Sequence, residues 1–358
     1  MTEKTSPRPA GRELQLGVLA FVEHTGITSL PGRVTSRGLE DGLALFELIE
    51  DLGYEAGYVR SRHLQPFLSA PLPFLAAAGQ RVRRLLLGTQ VIPLRFENAG
   101  RLAEEIATTD LLTQGRLRIG VSSGYSAKDA VNMRAFGEPR GTVREHVDRT
   151  LHDLLSFLEG ETVAMADTHI ETIEPGTPLR VQPQVPGLRG RLSYGAATVR
   201  SAELAGALGL GLRLNTMNPD DGSGRSFEEL QAELIRIYRQ ASSDAGYGDG
   251  WVSVGRLALP VHDDADLEAF DGIITDDAWN QRAHREGAEV TEIGGQAAVF
   301  GRVHADAPEE VARTLSEDVA LQAADELIIC LPMDRPLELV RRIATTFAQE
   351  VAPLQRDA

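Results

Sequence analysis

The stretch "RLLLGTQVIPLRFENAGRLAEEIATTDLLTQGRLRIGVSSGY", residues 84–125, decides the fold. It opens on an apolar run, Leu85–Val91, of the length and composition of a buried strand. Helical spacing follows through "NAGRLAEEIATTDLLTQGR", and Gly115 closes that helix. A second apolar run, Leu117–Ser122, ends in small polar residues. No hairpin turn joins the two runs. Strands linked through a helix must lie parallel, so the stretch predicts a strand–helix–strand crossover unit.

The same alternation extends to both ends of the chain. Further strands are expected at Leu14–Ala20, Ala56–Arg60, Leu192–Gly195, Leu212–Asn215, Val252–Leu257 and Glu326–Leu331. Amphipathic helices separate them, one through Leu43, Phe46 and Ile49 before the stop at Gly53, another with Ser69 as its cap and Pro71 in its first turn. Eight such units without hairpins predict an α/β fold, a (β/α)8 TIM barrel with insertions in its βα loops. Polar, Pro-bearing excursions near residues 161–190 and 262–296 are read as those insertions. Residues 1–13 are expected to be a disordered arm and residues 14–355 a single barrel domain. An open doubly wound sheet shares this periodicity, although no GxGxxG follows the first strand.

Composition narrows the function. The chain has 358 residues, 42 % hydrophobic and 25 % charged, with a formal charge of −16. That charge argues against nucleic acid or an anionic membrane as partner. No apolar run is long enough to span a bilayer, and "MTEKTSPRPAGRE" lacks the apolar core of a secretory signal, so the cytoplasm is the expected location. The one cysteine, Cys330, reads as a small buried hydrophobe. Lysine is confined to Lys4 and Lys128, so anion binding falls to Arg, His or backbone amides.

In a barrel the chemistry sits where strands end. The expected rim carries Phe21, Glu23 and His24, then Arg60, Arg62 and His63, then Thr89, Gln90 and Ile92, then Ser122, Ser123, Gly124 and Tyr125. Later strands add Gly195 to Ser201, Asn215 and Thr216, Arg256, and Cys330 to Met333. This rim has neither metal-ligand spacing nor a GxSxG elbow. "YGAATVRSAELAG", Tyr194–Gly206, is its most informative piece. Gly195, Ala196 and Ala197 make a compact turn, Thr198 caps a helix, and free amides join Arg200 and Ser201 in an anion site. An ordinary helix start with a solvent-facing arginine accounts equally well for the same letters.

Taken together, these segments resemble the bacterial luciferase-like family of flavin-dependent monooxygenases. The likeness runs through residues 57–124, "RVQPQVPG", "YGAATVRSAELAGALG" and the closing "ADELIICLP". It implies a barrel with FMN at the C-terminal rim, its phosphate gripped by the loop of Gly195, Ala196, Ala197, Thr198, Arg200 and Ser201. Thr89 and Gln90 would lie against the flavin ring, and Ser122, Ser123, Gly124 and Tyr125 along its edge or ribityl chain. It further implies reduced FMN delivered by a separate NAD(P)H-dependent flavin reductase, O2 as co-substrate, oxygenation of a small organic substrate, and a homodimer. Apolar positions of Pro73–Ala78 and Leu102–Leu112 would suit the dimer surface. Two other functions remain open: hydride transfer by an F420-dependent oxidoreductase, and a non-catalytic flavin-binding or partner subunit.

"VRSRHL" falls where relatives carry Glu-His-His, with His63 matching the second histidine and Arg62 replacing the first. The expected catalytic set is therefore His63, Arg62 and Arg60, with His63 as proton shuttle and the arginines as electrostatic stabilisers. The bland alternative is that the arginines form rim ion pairs while His63 packs under its loop. Trp279 and His284, in the second excursion, are read as candidates for an active-site lid.

Overall fold

The computed structural model describes residues 8–9, 11–124, 129–274, 292–293 and 296–356, and Tyr125, Trp279 and His284 lie outside them. Eight strands form the barrel: β1 (Gln15–Ala20), β2 (Ala56–Val59), β3 (Leu86–Pro93), β4 (Leu117–Ser122), β5 (Leu192–Gly195), β6 (Gly211–Leu214), β7 (Val252–Pro260) and β8 (Glu326–Cys330). Each pairs in parallel with its neighbours in chain order. The pairing of β1 with β8, Gly17 opposite Ile328, closes the ring. The open-sheet alternative is thereby excluded.

The helices that cover the barrel are α1 (Arg37–Asp51), α2 (Pro71–Arg81), α3 (Ala99–Leu112), α4 (Val143–Leu158), α5 (Val199–Ala207), α6 (Phe227–Asp244), α7 (Pro308–Ser316) and α8 (Leu337–Thr346). Their starts follow local chemistry: Ser36 and Asn98 cap α1 and α3, and Thr142 and Ser226 form capping boxes with Glu145 and Glu229. The main core lies between barrel and helices, through residues such as Phe46, Ile49, Leu75, Leu87, Ile106 and Leu154. A second, small cluster of Leu19, Ala56, Tyr58, Ile328 and Cys330 fills the lumen.

Inward positions alternate along each strand. Tyr58 stacks against the Arg213 guanidinium 4.4 Å away and donates to Glu326 Oε1 at 2.8 Å. Glycines on the facing strands make room for this pair. A Cβ at Gly88 would meet the Arg118 carbonyl and come within 2.6 Å of the Tyr58 ring; one at Gly120 would lie 2.8 Å from Arg213 Cδ.

Several local expectations need correction. Ser69 does not cap α2; the cap position is Ala70, with Pro71 at the first turn. The Ser69 amide instead donates to His24 Nε2 at 3.3 Å, and its carbonyl accepts from Ser61. Hairpin-like pairs also exist outside the barrel. Ile27–Leu30 pairs antiparallel with Arg33–Ser36 in the loop after β1, and Met217–Pro219 pairs with Gln296–Phe300. Val303–Asp306 extends the sheet alongside the end of β7. The apolar positions assigned to a dimer surface are mostly used within the chain: Phe74, Leu75, Ala78, Leu102 and Ile106 are buried, whereas Leu111 and Leu112 remain 56 % and 50 % exposed.

Candidate active site at the barrel mouth

Loops after β1 and β2 are zipped together. The His24 amide donates to the Pro66 carbonyl, Leu68 to Val22, and Arg62 to Leu68, so Phe21 to His24 and Arg60 to Leu68 form one wall of the mouth. Within it, the Arg62 guanidinium lies 5.8 Å from the Phe21 ring centroid and 6.0 Å from that of Phe67. Burial, and then the neighbouring Arg60 charge, push its pKa down to about 10. Arg60 shares the phase of Ala56 and Tyr58, which sit in the lumen cluster, and it lies beside Cys330 of β8. Burial pushes the Cys330 thiol up to about 12, so it stays neutral.

His63 does not stand open on the rim. Its ring packs 5.2 Å from Phe96 and 4.7 Å from Phe136, and its Nε2 is buried with no hydrogen-bond partner. Burial lowers its pKa, which keeps the imidazole neutral near pH 7. The aromatic cluster joins the end of β2, the turn after β3 and the helix Asp129–Phe136.

The residues after β3 take different roles. Thr89 is fully buried and its hydroxyl bridges to β4, donating to the Gly120 carbonyl at 2.8 Å and accepting from the Gly120 amide at 3.1 Å. Gln90 is clamped from both sides, donating to Asn215 Oδ1 at 2.9 Å and accepting from Arg213 at 3.0 Å. The Gln90–Val91 peptide is cis, where the β3–β4 register shifts. Ser122 accepts from the Gly124 amide at 3.2 Å. Gly124 has φ +75° and no room for a side chain, since a Cβ would come within 2.6 Å of Pro93 Cβ.

These strand ends converge on the start of α5. A Cβ at Gly195 would lie 3.2 Å from Val91 Cγ1 and 3.3 Å from Ser122 Cβ, so the glycine brings β5 against β3 and β4. Thr198 caps α5 as expected, but Ser201 completes a capping box. Its hydroxyl accepts from the Ala197 and Thr198 amides at 3.2 and 3.0 Å. The amides of Val199 and Arg200 stand in the first turn, where no intrahelical acceptor exists. The Arg200 side chain is half exposed and ion-paired with Asp148 of α4 at 2.8 Å. A phosphate fits this cradle through backbone amides and the helix dipole, with Arg200 contributing only as it shares itself with Asp148.

The structure also gives roles to residues that the sequence reading passed over. Asn218 donates to the Ala197 carbonyl at 3.3 Å, and Gln231 of α6 donates to Asn218 Oδ1 at 3.0 Å and the Asn215 carbonyl at 2.7 Å. Arg256, expected on the rim, instead points outward. It donates to Gln231 at 2.8 Å and pairs with Asp318 at 2.6 Å, each partner of that pair being 1 % exposed. Tyr194 lies against Ser123, and burial raises its pKa. Glu97, in the turn after β3, is pushed up to about 7 by burial and by Glu105. Among the described residues, no three His, Cys, Asp or Glu side chains gather as a metal site would need. No described helix is long and apolar enough to cross a membrane.

With this geometry in view, the likenesses to known proteins are specific. Residues 14–248 match the luciferase-like monooxygenase family model. A 4-hydroxyprotoasukamycin monooxygenase from Streptomyces nodosus subsp. asukaensis is 29 % identical over 255 residues, 70 % of this chain and 64 % of that protein. An F420-dependent glucose-6-phosphate dehydrogenase from Beutenbergia cavernae is 39 % identical over 97 residues, 25 % of this chain and 29 % of that protein. The chain thus spans less than two thirds of either relative. The monooxygenase RslO1 from Streptomyces bottropensis superimposes with a TM-score of 0.70 at 20 % identity, covering 95 % of this chain and 99 % of that one. A closed eight-stranded barrel, its small-residue strand ends meeting at one helix start, and a family match over residues 14–248 lead to one conclusion: the chain belongs to the luciferase-like monooxygenase family.

Proposed function

We propose that this protein is an FMN-dependent monooxygenase that receives reduced flavin from a separate NAD(P)H-dependent reductase and uses O2 to oxygenate a small organic substrate. The observation that carries this reading is the convergence of Val91, Ser122 and Gly195 on the capped start of α5. It provides backbone amides for a phosphate and side chains small enough for a planar ring to approach. FMN, when bound, supplies the oxygen chemistry.

The chain's own residues position and shield. In this reading the Val199 and Arg200 amides hold the phosphate, while Ser201 keeps the turn rigid from within. Gln90, fixed by Arg213 and Asn215, forms an immobile floor beside Val91. His63, Phe96 and Phe136 keep water from one side of the mouth. A neutral His63 offers a ring nitrogen as proton acceptor, and Arg62 brings positive charge to the place where negative charge develops.

The monooxygenase relative matches 70 % of this chain and the F420-dependent one 25 %, which favours oxygenation over hydride transfer. The 39 % identity of the shorter match keeps F420 as the second reading. Titrating the protein with FMN, riboflavin and F420 separates them. FMN should bind more tightly than riboflavin, and addition of an FMN reductase with NAD(P)H should give O2-dependent turnover. Tight F420 binding without FMN binding would overturn the proposal.

A further inference from the structure

Several enclosed or half-buried cations elsewhere in this molecule have carboxylate partners, and buried Arg213 has Gln90 and the Tyr58 ring. Arg256 has Asp318, Arg191 has Asp110 at 2.7 Å, and Arg12 has Asp325 at 3.0 Å. Arg60 is different. It is partly buried at the end of β2, and among the described residues it makes no hydrogen bond or ion pair; Cys330 and Arg62 are ionisable groups close enough to act on it or feel it. The Cys330 thiol stays protonated and the Arg62 guanidinium repels, so neither neutralises it. Arg60 is only partly buried, so its guanidinium remains open to the mouth and can take its counter-ion from a ligand that enters there. Its phase with Ala56 and Tyr58 turns it toward the lumen. The flavin phosphate has its own cradle at α5, three strands away around the barrel.

We propose that Arg60 is the anchor for an anionic group, a carboxylate or its equivalent, on the organic substrate. This rests on the reading of the barrel mouth as the reaction site and adds to it a substrate class: small organic acids, held by the charged end with the remainder over the mouth. Arginine suits that task because its planar fork can hold a carboxylate through two hydrogen bonds.

The test uses the full chain and matched probes: hexanoate and benzoate against hexanamide and benzamide, with binding read by ligand-observed NMR in the presence and absence of FMN. At least one carboxylate should bind the wild type at least tenfold more tightly than its amide. Arg60→Gln should abolish that preference without changing amide binding, and Arg60→Lys should restore part of it. Thermal unfolding of each variant verifies folding. FMN and riboflavin affinities should be the same in Arg60→Gln as in the wild type. No carboxylate preference in the wild type, or one that survives Arg60→Gln, would overturn the proposal. Loss of riboflavin affinity in Arg60→Gln would assign the side chain to the flavin ring and equally overturn it. Failure of the flavin reading itself would show separately, as absence of any preference for FMN over riboflavin.

Discussion

Replacing Gln231 with leucine tests how the outer layer of the barrel supports the mouth. Gln231 is fully buried, and its amide serves three groups: the Asn215 carbonyl, Asn218 Oδ1 and the Arg256 guanidinium. Leucine nearly preserves the volume but satisfies none of them. Each orphaned buried group costs about 1–3 kcal/mol, with Arg256 toward the lower end because it keeps the Gly255 carbonyl and Asp318. The better burial of leucine returns about 1–2 kcal/mol. The net loss should therefore be about 1–6 kcal/mol, read as a lower urea midpoint with an unchanged slope. A second readout reaches the site. Asn218 holds the Ala197 carbonyl, so Gln231→Leu should weaken FMN binding more than riboflavin binding. A stability loss below about 1 kcal/mol, with unchanged flavin affinities, would show that the three groups find other partners and that the network does not position the loop.

Three further outcomes follow from the geometry. Arg200→Ala should weaken FMN binding about tenfold, near the lower end for a charge-assisted hydrogen bond because Asp148 shares the guanidinium, and leave riboflavin unchanged; equal losses would make Arg200 structural. Gly88→Ala should destabilise by about 3 kcal/mol or more, since its Cβ would run into the Arg118 carbonyl and the Tyr58 ring, and a wild-type melting temperature would refute the packing of the lumen. His304 is 2 % exposed and is held down to about 4, from a usual 6.5, by burial and then by the Arg256 charge. The unfolded chain takes up this proton first, so stability should be full above about pH 6.5 and fall by about 2–4 kcal/mol toward pH 4. His304→Gln should flatten that slope, and identical slopes would refute it.

The barrel strands were legible because each is a short apolar run with sharp ends. Leu117–Ser122 and Leu192–Gly195 begin and stop where the pattern places them. The pair Ile27–Leu30 and Arg33–Ser36 was not legible. Most of its residues are exposed, and without a buried face it has no burial period to read. Ser69 misled for another reason: cap preference is a property of residue type, whereas its amide is engaged by His24, a partner 45 residues away.

The candidate site shows the deeper limit. Arg60 follows the end of β2 and Arg256 sits midway along β7, and although the sequence places both on the rim, one turns into the lumen and the other into a buried ion pair beneath the helices. Parity separates them. Arg60 keeps phase with Ala56 and Tyr58, which line the lumen; Arg256 keeps phase with Val252 and Val254, which face the outer core. In an antiparallel sheet with one wet face, polarity would reveal which parity points inward. A parallel barrel buries both faces, so both parities of β7 are equally hidden and the pattern carries no such mark. The distinction appears only where lumen space is scarce. Glycines at 17, 88 and 120 yield to the bulk of Tyr58 and Arg213, and that exchange of volume across strands fixes which side of every strand faces the chemistry.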